Sequence, residues 1–359
     1  QGKPEPASTV NPFEDVAESD YFYKAVLWAY GNGITAGTDA TAQTLKFDTR
    51  GEFKIVQFTD LHYQSRTPRS ATALECIDAV VGTERPDLVV FTGDNIYARP
   101  ADTAMTHIVD RIERHGVPYV ILFGNHDHEQ GMTLAQLYDI IRRGRHCLQP
   151  DRGSVESPDY VLEIAGSKSA APAALLYCLD SHSYPATKRL GTYAWLTLDQ
   201  VQWYRERSRA YTAANGGRPL PALSFFHIPL PEFAQAATTE ANVLIGTRME
   251  KSCPPLLNSG MFCAMREGGD VMGIFCGHDH DNDYTTLYHD ILLGYGRFSG
   301  GNTEYNHLPV GARVIVLYEG QRRFDTWIRT LKGDRQNVTV YPDSYVKDDW
   351  RKRPVKEKR

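Results

Sequence analysis

The chain has 359 residues, 42% of them hydrophobic, which is enough to bury a core, excludes a disordered chain and leaves room for about two domains. Lys and Arg number 39 against 44 Asp and Glu, a formal charge of -5, so no general basic field exists to hold nucleic acid or an anionic membrane. The longest apolar run, Ala170 to Leu179, falls short of the roughly 20 residues a membrane-spanning helix needs.

Residues 1–10, rich in Pro, Ser and Gly, read as a flexible leader. Because the chain opens at Gln1, a secretory signal removed upstream is one expectation. From Tyr21 to Tyr30, Phe22, Val26, Ala29 and Tyr30 share one helical face, and Gly31-Asn32-Gly33 stops the helix. From Phe53 the chain alternates β runs with amphipathic helices. Strand Phe53 to Phe58 is followed by a helix at about Ser70 to Glu84, strand Leu88 to Phe91 by a helix at about Asp102 to His115, and strand Tyr119 to Leu122 by a helix at about Thr133 to Arg143. That alternation predicts a βαβ-built sheet with helices outside it. Beyond residue 150, strands are predicted at Tyr160 to Ile164, Ala174 to Leu179, Leu223 to Phe226, Val271 to Cys276, Asp290 to Leu293, Arg313 to Tyr318 and Arg323 to Arg329, with one long helix at about Thr197 to Ala213. So many strands fit two packed sheets better than one wide sheet. Residues 332–359 read as a C-terminal extension, whose stretch from Lys347 onward is a solvated basic tail.

Six cysteines are too few and too scattered for a disulfide framework, and none forms a CxxC pair. They are expected as small buried hydrophobes, with a Cys253 to Cys263 bridge as the alternative.

Five strand ends carry the chemistry. The first strand runs into Asp60-Leu61-His62, the second into Gly93-Asp94-Asn95 and the third into Gly124-Asn125-His126-Asp127; Leu223 to Phe226 runs into His227, and Val271 to Cys276 into Gly277-His278-Asp279-His280. Each cluster alone is ordinary turn chemistry. Five in order, each past a strand's carboxyl end, where open α/β sheets build their sites, describe one crevice. Oxygen and imidazole donors without thiolate suit Mn, Fe or Zn in five- or six-coordinate sites. Two cations about 3.5–4 Å apart need a bridging carboxylate, and Asp94 is the natural one.

The series Asp60-x-His62, Gly93-Asp94, Gly124-Asn125-His126-Asp127, His227 and Gly277-His278-x-His280 resembles the calcineurin-like metallophosphoesterase superfamily. FKIVQFTDLHY (Phe53 to Tyr63), RPDLVVFTGDN (Arg85 to Asn95), FGNHDHE (Phe123 to Glu129), SFFHIPLPEF (Ser224 to Phe233) and GHDHDND (Gly277 to Asp283) resemble its purple-acid-phosphatase-like branch. The resemblance covers about Leu45 to Leu331, giving a metallophosphoesterase domain at 46–331. It implies a four-layer α/β/β/α sandwich of two mixed sheets with a short helical N-terminal segment. It also implies a dinuclear centre, with one metal on Asp60, His62, Asp94 and His280 and the second on Asp94, Asn125, His227 and His278. His126 would assist the leaving group, Asp127 would orient it, and a metal-bridged hydroxide would attack phosphorus. In purple acid phosphatases a glycine stands where this chain has His62, and a Gly-Asp-x-x-Tyr tyrosinate binds iron(III). Tyr97 keeps that spacing and is read as pocket wall, with the tyrosinate as alternative.

Asn95, Tyr97, His128, Tyr284 and Arg297 are candidate substrate-pocket residues, Arg297 as a phosphate clamp; Glu129 is a possible lining residue without an assigned role, and His182 and His307 are weaker candidates. Asn11-Pro12-Phe13 to Thr38 resembles the front of an S-layer homology module. On that resemblance residues 11–45 are a partial wall-binding segment with a cell-wall polymer as partner, and the protein is extracellular or wall-associated in a bacterium. The functional expectation is a phosphomonoesterase acting on a phosphorylated small molecule. A phosphodiesterase on nucleotide or lipid-head-group diesters, and a wall-binding scaffold, are the alternatives.

Overall fold

Runs of β-branched and aromatic residues form strands here, and the segments between them that repeat every three to four residues form helices. In chain order the first half has β1 (Glu52–Phe58), α1 (Ala71–Glu84), β2 (Leu88–Thr92), α2 (Ala101–Glu113), β3 (Tyr119–Leu122), α3 (Leu134–Ile141), β4 (Tyr160–Ala165) and β5 (Pro172–Cys178). The second half has α4 (Leu198–Ala214), β6 (Ala222–Phe225), α5 (Pro231–Thr238), β7 (Leu244–Ile245), α6 (Met261–Gly268) and β8 (Val271–Cys276). It ends with β9 (Thr285–Tyr288), β10 (Ile291–Tyr295), β11 (Gly311–Tyr318), β12 (Phe324–Thr330) and β13 (Arg335–Tyr341). This computed structural model describes residue 23 and residues 44–151, 159–301 and 305–345. The leader, the N-terminal helix and wall-module-like segment apart from Tyr23 and residues 44–45, and the basic tail lie outside the described residues. The chain divides into two units, Gln1–Thr44 and Leu45–Arg359, and the second holds all of these strands and helices.

Two mixed sheets result. The first runs β13-β12-β11-β1-β2-β3, parallel across β1, β2 and β3 and antiparallel beyond β1. The second runs β4-β5-β6-β8-β10-β9-β7, parallel from β5 to β10 and antiparallel at both edges. Period-two alternation sends the two faces of a strand into different cores. In β1, Phe53 and Ile55 pack between the sheets with Leu176, Phe225, Phe275 and Ile315. Val56 and Phe58 face outward onto Ile77 of α1, Ile108 of α2 and Leu137 of α3. Across the molecule, Tyr204 of α4, Phe233 of α5 and Met265 of α6 cover the outer face of the second sheet. Three cores between four layers make the α/β/β/α sandwich. Thr133 and Thr197 begin α3 and α4 with reciprocal capping boxes to Gln136 and Gln200.

The sheet continues past residue 331, where the sequence reading placed a C-terminal extension. Residues 335–341 pair antiparallel with β12, and polarity does not mark their buried face, since Val338 is exposed while Thr339 is buried, which hides them from a search for apolar runs. All six cysteines are free, with Cys76, Cys178 and Cys276 buried and Cys263 exposed, so Cys253 and Cys263 are not bridged. No helix among the described residues is long and apolar enough to cross a membrane.

Candidate metal centre and active site

The parallel strands of both sheets end at one edge of the sandwich, and the loops leaving β1, β2, β3, β6 and β8 meet there. Two groups of buried side chains form, Asp60, His62 and His280 in one and Asp94, His227 and His278 in the other, each with its ligand atoms within 4.8 Å of one another. Asp94 joins them: its Oδ2 lies 3.6 Å from His62 Nε2 and 3.1 Å from His227 Nε2. Its Oδ1 accepts from the His126 amide at 2.8 Å, which ties the β3 loop to the same carboxylate. Asn125 donates from Nδ2 to the Tyr184 hydroxyl at 3.2 Å.

The backbone is bent sharply to achieve this. Asp60, His62, Asp94 and His278 have φ of 53°, 43°, 50° and 80°, a left-handed conformation that costs a non-glycine residue about 1–3 kcal/mol. Backbone bonds hold it, Asp60 N–H to Gly93 O at 3.0 Å and His62 N–H to Asp94 O at 2.9 Å. Two glycines supply space. A Cβ on Gly93, whose own φ is 95°, would stand 2.7 Å from the Gly124 nitrogen and from the His227 ring, and a Cβ on Gly124 would fall on the Asp94 carboxylate.

The donor set fits cations. Among the described residues, His62 Nε2 and Asn125 Oδ1 are buried with no hydrogen-bond partner, an expensive state for a polar atom unless something electropositive meets it. His227 Nδ1 faces Thr92 O at 2.8 Å, so in the neutral ring the proton sits there and the Nε2 lone pair points at Asp94. Burial works against the Asp94 anion, yet the charge and hydrogen bond of His227, with His62 and His126 behind it, hold its carboxyl well below the usual range. Burial likewise opposes the His227 cation, and Asp94 overrides it, pushing the imidazole up to about 10. Burial and the His227 charge push His278 down to about 3. Two ionised carboxylates thus face imidazoles of which some stay neutral, a set that suits Mn, Fe or Zn.

Residues 53–282 match the family described as calcineurin-like phosphoesterase. The chain belongs to this family. It is 31% identical over 328 residues to "Probable inactive purple acid phosphatase 14" of Arabidopsis thaliana, with 79% of each chain covered. It is 30% identical over 351 residues to "Phosphatase DCR2" of Saccharomyces cerevisiae, covering 85% of this chain and 58% of that one. Its fold is similar to that of a dimetal phosphatase from Danio rerio, with a TM-score of 0.57, 15% identity, and coverage of 80% of this chain and 98% of that one.

Within this calcineurin-like phosphoesterase, several sequence-derived assignments are corrected. The Asp127 carboxylate is bonded to loop amides, and the His126 ring to Glu129. The buried Asp127 carboxylate accepts from the amides of Asn95 at 2.9 Å, Ile96 at 3.1 Å and Gly124 at 2.8 Å, pinning the β2 and β3 loops together. Burial and then the charge of Asp94 push it up to about 7 despite those donors. Glu129 takes the place assigned to Asp127: Glu129 Oε2 lies 2.6 Å from His126 Nδ1, and its Oε1 accepts from the Tyr184 hydroxyl at 2.8 Å. Asn95 is buried and donates to Leu122 O, so it braces the loop and does not line a pocket. Tyr284 is also buried, its hydroxyl 3.2 Å from Ser252 Oγ.

Arg297 is 1% exposed and turns away from the centre, into an ion pair with Asp283 and a bond to Pro309 O at 2.7 Å. Asp283 also accepts from Asn337 at 2.7 Å. Arg297→Ala removes the ion-pair partner of that buried carboxylate, so a loss of about 3–5 kcal/mol is expected, read by urea unfolding, with the metal content of the folded fraction unchanged. A phosphate clamp would instead show normal stability and a raised KM. His182 bonds Gln200 at 2.9 Å and His307 pairs with Asp281 at 2.6 Å, both outside the centre.

Tyr97 and His128 do lie at the centre's rim. The Tyr97 ring stands 5.4 Å from His62 and 5.1 Å from His126, and the His128 ring 6.0 Å from Tyr184. The sequence reading missed Tyr184, Tyr193 and Tyr305, which come from loops with no motif. The one available signal was that residues 180–184 follow β5, another parallel strand ending on the same edge.

Proposed function

We propose that this chain is a metal-dependent phosphoric ester hydrolase that acts on phosphomonoesters. The observation that carries the reading is the sharing of Asp94 between the two donor groups, with His126 held beside them by the same carboxylate. Asp60, His62, Asp94 and His280 would hold one cation, and Asp94, Asn125, His227 and His278 the other. Bound there, the ions supply Lewis acidity to phosphoryl oxygens. The word "inactive" describes the Arabidopsis relative; here all seven donor residues and His126 are present and most are buried at one edge of the sandwich. The names of the relatives, purple acid phosphatase and phosphatase, support the monoester side of the reading.

The chain's own residues divide the remaining work. His126 is partly open to solvent, and its ring stands 5.4 Å from that of His62, where it can give a proton to a departing ester oxygen. Glu129 fixes that ring: with Nδ1 bonded to the carboxylate, the other nitrogen is the one presented outward. Glu129→Ala is expected to lower kcat about 10- to 100-fold while leaving KM and metal content near native values. Glu129→Gln, whose amide oxygen can still accept from Nδ1, should fall between the two.

The reading is tested by elemental analysis of protein prepared without chelator, followed by hydrolysis of nitrophenyl phosphate and bis(nitrophenyl) phosphate after reloading with Mn, Fe or Zn. About two ions per chain and a monoester preference are expected. A diester preference overturns the monoester assignment, and a protein that takes up no metal and hydrolyses neither ester overturns the enzyme.

A further inference from the structure

Four tyrosines surround the candidate centre, each resting on a different part of it. Tyr97, from the loop after β2, stands 5.4 Å from His62 and 5.1 Å from His126. Tyr193, between β5 and α4, meets the His278 ring edge to face at 4.3 Å. Tyr305, between β10 and β11, stacks on His280 at 4.6 Å with the rings 17° from parallel. Tyr184 bonds to Asn125 and Glu129 and stacks on Tyr193 at 6.1 Å and 27°.

Each ring is held by the centre on one side, yet three keep a large part of their surface in solvent: Tyr97 is 36% exposed, Tyr184 41% and Tyr305 41%. These are three of seven large apolar side chains left exposed among the described residues, so exposed aromatic surface is concentrated at this mouth. Such concentration marks a binding surface. The collar's own side chains are uncharged phenols, and carboxylates meet them from the rim, Glu129 at the Tyr184 hydroxyl and Glu250 at the Tyr305 hydroxyl. A leaving group with further anionic groups would be repelled there, whereas a flat neutral ring would stack.

Resting on the hydrolase reading above, we infer that the tyrosine collar selects phosphate esters whose leaving group is a planar aromatic ring close to the ester oxygen. The rings begin directly on the donor imidazoles, so an aromatic group carried on the ester oxygen meets them, while an alkyl group of similar size gains only nonspecific contact. An aryl ester carries this chemistry, whereas in a nucleoside monophosphate a pentose separates the base from the ester oxygen.

The metal-loaded full chain is compared with Tyr97→Ala, Tyr305→Ala and the corresponding Phe variants on phenyl phosphate, AMP and glycerol 2-phosphate. The readout is the quotient of kcat/KM for each aromatic ester over glycerol 2-phosphate, since comparing quotients between variants cancels intrinsic leaving-group reactivity. The Ala variants are expected to lower a quotient about three- to tenfold, and the Phe variants to retain it. A fall for phenyl phosphate supports the collar, whereas a fall confined to AMP overturns the requirement for a ring close to the ester oxygen. In parallel, calorimetry on the loaded native chain is expected to show phenylphosphonate binding more tightly than methylphosphonate, a preference lost in the Ala variants. Quotients unchanged for both aromatic esters, or equal binding of the two phosphonates, overturn the inference. If the native chain hydrolyses none of the three esters, the hydrolase reading fails separately, and the phosphonate comparison still decides the collar.

Discussion

Asp94→Asn is expected to give a folded protein that has lost most of its metal and, with it, about 10³-fold or more in kcat/KM, the scale of several kcal/mol of charge stabilisation. The fold should survive because Asn adopts the left-handed φ of 50° that Asp94 holds, and the new amide oxygen can still accept from the His126 amide as Asp94 Oδ1 does at 2.8 Å. What the amide cannot replace is Oδ2, placed 3.6 Å from His62 Nε2 and 3.1 Å from His227 Nε2. An Asn NH₂ there presents hydrogens to atoms that need a shared anion, and it removes the charge that keeps His227 up at about 10. Elemental analysis, far-UV circular dichroism and monoester hydrolysis on one preparation check this. Native metal content with native activity would show that the two groups do not depend on a common carboxylate.

Much of this site was legible because its donors follow largely apolar strands and lie within a few residues of each strand's end. In β2, Leu88-Val89-Val90-Phe91 is wholly buried, so the run itself marks a central strand and Gly93-Asp94 its exit. Residues beyond the strand ends were misread where neighbours in sequence are not neighbours in space. His126, Asp127 and Glu129 show this well. Residues 127–130 form a 3₁₀ turn, in which side chains three apart lie over one another; Glu129 therefore comes under His126, and Asp127 points back to the loop amides. Arg297 follows a strand adjacent to the centre, as its position suggested, but the fully buried Asp283 takes its guanidinium inward. Of the tyrosine collar only Tyr97 was legible, from its spacing after Asp94; Tyr184, Tyr193 and Tyr305 come from two other loops whose only common property is where their strands end. Helix α5 was overlooked despite Pro231 at its first turn, a start signal that an eight-residue helix offers without enough periodicity to confirm it.

Strain and charge in the centre have a common rationale. Four donors sit at positive φ, and burial disfavours the ionised form of both Asp60 and Asp94 before their histidines restore it. A scaffold without ligands would gain nothing from holding anions and imidazoles this close in a buried site. Bound cations would offset both costs, so metal removal by a chelator is expected to speed amide hydrogen exchange in these loops more than in the cores.

His126→Ala separates proton donation from metal binding. The hydrogen bond from His126 to Asp94 comes from its backbone amide, so the variant is expected to keep both ions and the Asp94 bond while losing about 10²- to 10⁴-fold in kcat, the range for a positioned acid or base. The dependence on leaving group gives the sharper readout. Nitrophenolate departs without much help from a proton, whereas phenolate needs it, so the loss should be far greater for phenyl phosphate than for nitrophenyl phosphate. An equal loss on both esters would assign His126 to holding the phosphoryl group instead. Loss of metal in the same variant would mean that the imidazole is itself a donor to the centre, and that the loop held by Asp127 and Asp94 depends on that ring for its position.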